Sequence, residues 1–257
     1  MNETELKAYY NPEGSPLRGL QMQLLEILKD FDAFCRENGL SYSLAFGTLL
    51  GAVRHKGYIP WDDDLDVMMT RDQWNELEKL IGKKGRLTEK IHIKRRLKPE
   101  ICIKGVGIVD LFIVDFCPPK GIKRWIKQVA IQLVQMLYRC RWYYQAWRNG
   151  GKPHIKPWLV LLPISFLHSP KGWQQIWDKV LTWFTKDIDG FSEEMCCYTA
   201  AVRDIPKIYP ASVFKGTIEL PFEGLMFPCI QSYDEFLTIR YGNYMKLPDK
   251  IHNHGRV

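Results

Sequence analysis

An apolar stripe that repeats every three or four residues dominates the start of the chain. Ser15 followed by Pro16 is typical of a helix cap and the first helical residue, and Gly39 marks the end of the pattern. The apolar positions in between are Leu17, Leu20, Leu24, Ile27, Phe31 and Phe34. This spacing places them on one face and predicts an amphipathic helix of about six turns.

Shorter apolar runs after this helix predict a mixed sheet with helices around it. The predicted elements are strands at 40–46, 65–69, 90–94 and 101–116, a short helix that begins at Gly47, and a helix that begins with a Thr70-x-x-Gln73 capping box and ends at Gly82. The last of these strands is nearly continuous in Val, Ile, Leu and Phe, which is typical of the centre of a sheet. This order predicts an α/β (α+β) fold.

The pattern changes to long apolar and aromatic helices between about residues 121 and 190. Seven of the nine tryptophans lie there. We interpret 118–190 as a helical, aromatic-rich insertion within a single domain that spans 1–257, because this length supports one well-buried core with elaborations. From about residue 198 short strands return, and a final helix is predicted at 233–241.

The net charge of +7 is unevenly distributed along the chain. Residues 116–177 contain ten basic residues and no acidic one. Two interpretations stay open: the segment 120–183 lies on an anionic membrane surface, or its helices pack on the core and its charges face water. Its most apolar run, 157–167, is too short to span a bilayer and is interrupted by Pro163. A nucleic-acid groove is disfavoured because the segment is too apolar.

The seven cysteines are scattered and form no CxxC pair, and the first residues contain acids without an apolar run. We therefore expect reduced thiols and a cytoplasmic location, with the inner face of the cell membrane as an alternative position. The adjacent Cys196 and Cys197 offer thiols to a metal, but buried structural thiols are the favoured interpretation.

Three aspartates carry the strongest chemical signal. In a strand that ends with Asp64-Leu65-Asp66, period-two alternation puts both carboxylates on one face. Two carboxylates suit Mg²⁺, which completes its shell with substrate phosphate oxygens. Asp110, in an apolar strand, is the expected third acid because it needs a charged partner there. Asp115 is the competing candidate, but its parity puts it on the other face of that strand.

A glycine and a basic cluster just before these acids predict a phosphate-binding region. Gly47 and Thr48 follow a strand and open a helix, so backbone N–H groups and the threonine hydroxyl can hold a phosphate. Arg54, His55 and Lys56 suit the charge of a pyrophosphate. Trp61 is equally suited to bracing the acidic loop and to stacking on a base, and His252 and His254 are interpreted as part of a solvated tail.

The run GTLLGAVRHKGYIPWDDDLDV, together with VDLFIVD, FEGLMFP and YDEFLTIRYGNYMKLP, resembles the LicD family of phosphocholine and related phospho-group transferases, to which the fukutin-type ribitol-phosphate transferases are similar. The resemblance covers residues 42–70, 106–116 and 222–248 and leaves the middle of the chain uncovered. Its first block is long and specific.

The resemblance implies a nucleotidyltransferase-like fold, Mg²⁺ or Mn²⁺ as cofactor, and transfer of a phospho-alcohol such as phosphocholine from a CDP-linked donor, such as CDP-choline, to a hydroxyl of a cell-surface glycan. It implies metal and catalytic roles for Asp64, Asp66 and Asp110 and donor contacts around Gly47, Thr48, Arg54 and Lys56. Asn243 stands where the family often has aspartate, so no role is assigned there.

Two alternatives to phospho-alcohol transfer stay open. The first is a nucleotidyltransferase that attaches a nucleoside monophosphate to its acceptor. The second is a non-catalytic scaffold that binds a membrane or a glycan through the basic aromatic segment. The presence of all three aspartates favours an enzyme over the scaffold.

Overall fold

A computed structural model describes residues 3–82, 84–150, 160–184 and 193–247. The chain divides into two compact units, and each is described by itself. The first combines residues 1–114 with 209–257, and the second comprises 115–208.

The elements follow one another in an order that mixes helices and strands. In chain order they are α1 (Glu3–Tyr10), α2 (Pro16–Glu37), β1 (Ser43–Leu44), α3 (Phe46–His55), β2 (Asp66–Thr70), α4 (Arg71–Ile81), β3 (Ile91–Lys94), β4 (Glu100–Ile103), β5 (Gly107–Phe116), α5 (Ile122–Arg148), α6 (Leu162–Ser165), α7 (Pro170–Leu181), β6 (Glu194–Cys196), β7 (Ile208–Pro210), β8 (Thr217–Phe222), β9 (Leu225–Ile230) and α8 (Tyr233–Tyr241).

Helix α2 confirms the first predicted helix. The Ser15 hydroxyl accepts a hydrogen bond from the Arg18 N–H at 3.1 Å, which satisfies one of the unpaired donors of the first turn. The apolar face is deeply buried, with Ile27 and Phe31 fully inaccessible to solvent. Complete burial of one such side chain contributes about 1.5–3 kcal/mol, so the stripe anchors α2 in the core. The sequence analysis missed α1, because its eight residues carry no clear apolar stripe.

A mixed sheet forms the centre of the first unit, and it confirms the predicted α/β fold class. Its strand order is β1-β2-β5-β4-β3, in which β2 and β5 run parallel and the other neighbours run antiparallel. The prediction of one strand at 101–116 was wrong. A turn at 104–106, with Gly105 at φ +79°, divides this apolar run into the antiparallel strands β4 and β5.

The predicted helix α4 is present, but the predicted capping box is not. The Thr70 side chain does not cap the helix. Its hydroxyl hydrogen-bonds the carboxylate of Asp72, and the Gln73 side-chain oxygen accepts from the Ser41 N–H at 2.7 Å. Gln73 therefore joins α4 to the segment before β1, a long-range contact that the local pattern does not reveal.

The second unit is built around the packing of α7 on α5. Trp173 and Trp177 are buried in α7, and the Trp173 indole N–H donates to the Ser165 carbonyl at 2.8 Å. Arg124 pairs with Glu194, and the Lys127 ammonium lies 4.6 Å from the centre of a buried tyrosine ring. Among the basic residues of 116–177 that the structure describes, Arg124 and Lys127 are buried within this unit.

All seven cysteines are buried and none forms a disulfide, as expected. Burial raises the pKa of the Cys197 thiol to about 11 and that of Cys196 well above its ordinary value. Metal binding needs a thiolate, so this environment supports the structural interpretation of both residues. The predicted C-terminal helix is confirmed as α8. Within the described ranges, no helix combines the length and the apolar character needed to cross a bilayer.

Two helical glycines provide a matched test of how α3 meets the loop that follows it. A Cβ on Gly51 would lie 2.4 Å from the Gly57 carbonyl oxygen, whereas one on Gly19 in α2 would meet nothing within 4 Å. Gly19→Ala should therefore stabilise the protein by about 0.5–1 kcal/mol, and Gly51→Ala should lower the free energy of unfolding. Urea unfolding measures both changes. Equal stabilisation by both substitutions would contradict the close backbone approach.

Candidate active site

An acidic loop between α3 and β2 gathers three consecutive carboxylates. One oxygen from each of Asp62, Asp63 and Asp64 lies within 4.8 Å of the others. Asp63 is buried, while Asp62 and Asp64 are partly exposed. The loop is held by helix α2, because the Gln21 side-chain amide donates to the Asp62 carbonyl at 2.8 Å, and by its own turn, in which the Asp62 N–H donates to the Ile59 carbonyl at 2.9 Å.

Asp66 and Asp110 stand side by side on the two parallel strands. They are register partners of β2 and β5, and both are buried. Asp64 lies in the loop before β2 and Asp66 is the first residue of β2, so the prediction of a strand that ends with these two acids was wrong. The Thr48 hydroxyl accepts from the Asp66 N–H at 2.8 Å, which fixes the start of β2. Strand alternation places Asp115 on the opposite face of β5 from Asp110.

The proximity of these acids changes how readily they ionise. Burial raises the pKa of Asp66 well above its ordinary value, and the charges of Asp64 and Asp110 raise it further. Burial likewise raises the pKa of Asp62 to about 8, and the next causes are the charge of Asp64 and the hydrogen bond that the protonated Asp62 donates to it. The four acids therefore form one electrostatic cluster that does not readily carry all its negative charges at once.

Lys98 is a residue of the site that the sequence analysis missed. Its ammonium pairs with the Asp110 carboxylate and lies 4.9 Å from the centre of the Phe112 ring. It precedes β4, whose Glu100 is the register partner of Asp110. In the sequence Lys98 is hidden among four basic residues at 94–98, and only the antiparallel pairing of β4 with β5 brings it to Asp110.

The acid cluster fits a hard divalent cation. Its donors are carboxylate oxygens only, the set that Mg²⁺ and Mn²⁺ prefer over thiols or imidazoles. A cation also removes the repulsion that raises the pKa of Asp62 and Asp66. Asp62 was not among the predicted ligands, although it stands in the same acidic run. Two-residue alternation applies only to strands and selected Asp64 and Asp66. It could not select Asp62, which lies in the loop before β2.

The predicted phosphate-binding residues differ in where the structure places them. Gly47 lies directly beside the acids, since a Cβ on it would be 2.9 Å from an Asp62 carboxylate oxygen. Any residue other than glycine would place its Cβ against this Asp62 oxygen. Thr48 is buried, and its hydroxyl oxygen accepts from the backbone of Asp66, so it orients the acids. Its predicted contact with phosphate stays a prediction.

The predicted basic cluster does not form a single surface. Arg54 donates to the Tyr244 carbonyl at 2.8 Å and to the His55 ring nitrogen at 2.9 Å. His55 is buried, with its ring 6.3 Å from that of Trp61. Lys56 is exposed and adopts φ +57° at the C-cap of α3. Their contacts with a donor stay predictions.

The aromatic neighbour of the acids and the chain end complete the predicted set. Trp61 is buried between His55 and Tyr10, whose ring lies 5.4 Å away, so it braces the acidic loop. Helix α8 also reaches the site, because its Tyr241 lies within electrostatic range of Asp66 and Asp62. His252 and His254 lie outside the described residues.

The profile of the LicD/FKTN/FKRP nucleotidyltransferase domain matches residues 39–105, which contain α3, the acidic loop and β2. A Haemophilus influenzae protein, lipopolysaccharide cholinephosphotransferase LicD, is 30% identical across 90% of this chain and 92% of its own length. The chain belongs to the LicD family. This membership confirms the resemblance drawn from the three sequence blocks, and the family profile includes the acidic loop itself.

Two further relatives match shorter stretches. Uncharacterised proteins of Rickettsia prowazekii and Rickettsia typhi are 34% and 31% identical over 36% and 44% of this LicD-family chain. The matched regions make up 34% of the length of each relative.

We expect Mg²⁺ to stabilise the protein, and to do so more at pH 8.5 than at pH 5.5. A raised carboxyl pKa in the folded state means that stability is lost as pH rises from about 4 through about 8, as Asp62 ionises beside Asp64. A cation reverses this loss. At a hundred times its Kd it stabilises by about 2.7 kcal/mol, which raises Tm by roughly 5–10 °C for a chain of this size.

Scanning calorimetry with and without Mg²⁺ at both pH values measures this difference. Asp62→Asn should raise the Tm of the metal-free protein at pH 8.5 and reduce the shift that Mg²⁺ causes. A Mg²⁺ shift that is larger at pH 5.5, or unchanged in this variant, would contradict the role of Asp62 in a cation site.

Proposed function

We propose that this LicD-family chain transfers a phospho-alcohol such as phosphocholine from a CDP-linked donor to a hydroxyl of a cell-surface glycan, with a divalent cation as cofactor. The observation that carries the proposal is that the start of β2 and the paired position of β5 bring four carboxylates together. They belong to Asp62, Asp64, Asp66 and Asp110. The name of the H. influenzae relative, which matches nearly the whole chain, supports phosphocholine as the group and a lipopolysaccharide-type glycan as the acceptor.

In this proposal Asp64 and Asp66, with Asp62 beside them, would hold Mg²⁺ or Mn²⁺. The cation would in turn bind the diphosphate of the donor. When bound, the cation offsets negative charge on the phosphates during transfer. Because Gly47 has no side chain, phosphate oxygens can approach its backbone beside the Asp62 carboxylate. The hydrogen bonds from Gln21 to the acidic loop and from Asp66 to Thr48 keep these carboxylates in place before the donor arrives.

Asp110 accepts the proton of the attacking hydroxyl in this mechanism. The hydroxyl oxygen forms a bond to the phosphorus of the phospho-alcohol, and the bond from that phosphorus to the bridging oxygen breaks, so that CMP departs. The Lys98 ammonium pairs with the Asp110 carboxylate, and its positive charge counteracts part of the rise in the pKa of Asp66 that burial and the neighbouring acids cause. Because the Lys98 side chain is 31% exposed, its ammonium is also accessible to a phosphate.

Product mass distinguishes this reaction from nucleotidyl transfer. After incubation with CDP-choline, Mg²⁺ and a glycan acceptor, mass spectrometry should find the acceptor heavier by one phosphocholine group and CMP released. An acceptor heavier by one CMP group would establish the nucleotidyltransferase alternative. An unmodified acceptor across a panel of CDP-linked alcohols and surface glycans would favour the non-catalytic scaffold.

We predict that Asp64→Asn and Asp66→Asn abolish transfer, because an amide is a poor ligand for Mg²⁺. Asp110→Asn should lower the rate by at least about 100-fold, the lower range for one acid–base group.

Initial rates of CMP release and Tm should be measured together. Asp66→Asn should not lower Tm in the absence of metal, because burial and the neighbouring acids already favour the uncharged form of this side chain. Asp30→Asn, on the exposed side of α2, is the matched control and should leave the rate unchanged. Full turnover by either Asp64→Asn or Asp66→Asn would refute the metal assignment.

We also predict that Lys98→Met slows transfer by about 10–100-fold, the usual effect of losing a residue that supports the ligands of a metal site. Lys98→Arg should recover most of the rate, because it restores a positive charge beside Asp110. A purely structural role for Lys98 predicts loss of Tm in proportion to loss of rate. Equal rates for Lys98→Met and wild type would remove Lys98 from the mechanism.

A further inference from the structure

One face of helix α5 leaves large apolar side chains exposed to solvent. They recur at spacings of three or four residues, which places them along a single stripe. Ile122 is 67% exposed and Trp125 is 60% exposed. The stripe consists of Ile122, Trp125, Ile126, Val129 and Leu133. A face of this kind is normally covered by something, since large contiguous apolar patches on soluble proteins mark contact sites.

The same side of α5 leads to a second group of exposed apolar residues. Tyr144 lies 18 residues, or five helical turns, beyond Ile126, and therefore on the same side of the helix. Its ring contacts that of Phe166, just after α6, at a centroid distance of 4.9 Å. The exposed apolar residues of this region are Val160, Ile164, Phe166 and Leu167. Cys140 lies on this side of α5 between Leu133 and Tyr144 and is buried, so these residues form a second apolar patch that is separate from the stripe.

Charge indicates what covers this surface. Residues 116–177 contain ten basic residues and no acidic one. Arg124 and Lys127 are buried, so they are excluded as surface charges. The basic residues that are exposed in the described part of this segment are Lys120, Lys123, Arg148 and Lys171. The stripe contains a tryptophan and begins beside the two exposed lysines Lys120 and Lys123. This combination matches the interface of an anionic bilayer, in which rings enter the headgroup layer and cations contact phosphates.

We propose that the stripe on α5, defined as Ile122, Trp125, Ile126, Val129 and Leu133, docks on an anionic lipid surface. The choice of a lipid surface rests in part on the proposed function, because a lipopolysaccharide-type acceptor is anchored in a membrane. The stripe then holds the enzyme at the surface that presents its acceptor. Docking itself needs neither donor nor acceptor, so its test is independent of transfer.

Sedimentation of the full chain with vesicles tests the docking. The protein should sediment with vesicles that contain phosphatidylglycerol, far less with pure phosphatidylcholine, and less as salt rises, because screening weakens its attraction to the headgroups. Lys120→Gln with Lys123→Gln should weaken binding about 25-fold, since each basic side chain near an anionic surface strengthens binding about fivefold. Trp125→Ser with Ile126→Ser should also weaken binding, while turnover on a soluble acceptor fragment stays unchanged.

Matched controls lie in the first unit. Leu80→Ser removes an exposed apolar side chain from α4, and Lys84→Gln with Lys104→Gln removes two exposed charges. These variants should bind vesicles as the wild type does. Equal recovery with both lipids, recovery with neither, or equal loss in controls and stripe variants would overturn the proposal. Conversion of a dimer to a monomer by the stripe variants, with vesicle binding unchanged, would assign the stripe to a second copy of the chain and overturn it as well.

Discussion

The repulsion between carboxylates that the fold forces together is the constraint on which the site depends. The parallel pairing of β2 with β5 sets Asp66 beside Asp110, and the loop before β2 adds Asp62 and Asp64. In water these groups would separate, but here burial and neighbouring charge raise the pKa of Asp62 and Asp66. The protein therefore accepts a local loss of stability, which the positive charge of Lys98 partly offsets and which the proposed cation would offset further.

The surrounding contacts are arranged so that this repulsion does not push the acids apart. Gln21 holds the backbone of Asp62, and Thr48 holds that of Asp66. Further back, Glu223 accepts from Arg18 at 2.7 Å and from the Tyr58 N–H at 3.0 Å, which joins α2, the turn after α3 and the β8–β9 hairpin. These buried or half-buried polar contacts link three separated stretches of sequence. The C-terminal sequence blocks that resemble the LicD family thus contribute two residues. Glu223 holds α2 and the turn after α3 together, and Tyr241 lies near Asp66 and Asp62.

Features set by local pattern could be predicted from the sequence. Helix α2 and the strand after the acidic loop follow from helical spacing and two-residue alternation. The grouping of Asp110 with Asp66 follows from the need of a carboxylate in an apolar strand for a charged partner. What could not be predicted depends on contacts between distant segments. The Gln73 side-chain oxygen bonds to Ser41 and does not form the predicted capping box, Lys98 reaches Asp110 only through a hairpin, and Asp62 joins the cluster through a loop. Likewise, burial of Arg124 and Lys127 separates structural charges from those available to a lipid surface.

The central claim is that the clustered aspartates of this LicD-family chain hold a divalent cation that binds the diphosphate of the donor. The most direct test is anomalous diffraction at the manganese edge from crystals grown with Mn²⁺ and CDP. The account predicts an anomalous peak within ligand distance of the Asp64 and Asp66 carboxylates, in contact with a diphosphate oxygen, and its loss in crystals of Asp66→Asn. Bound CDP without an anomalous peak at these residues, or a manganese ion held elsewhere on the chain, would contradict it.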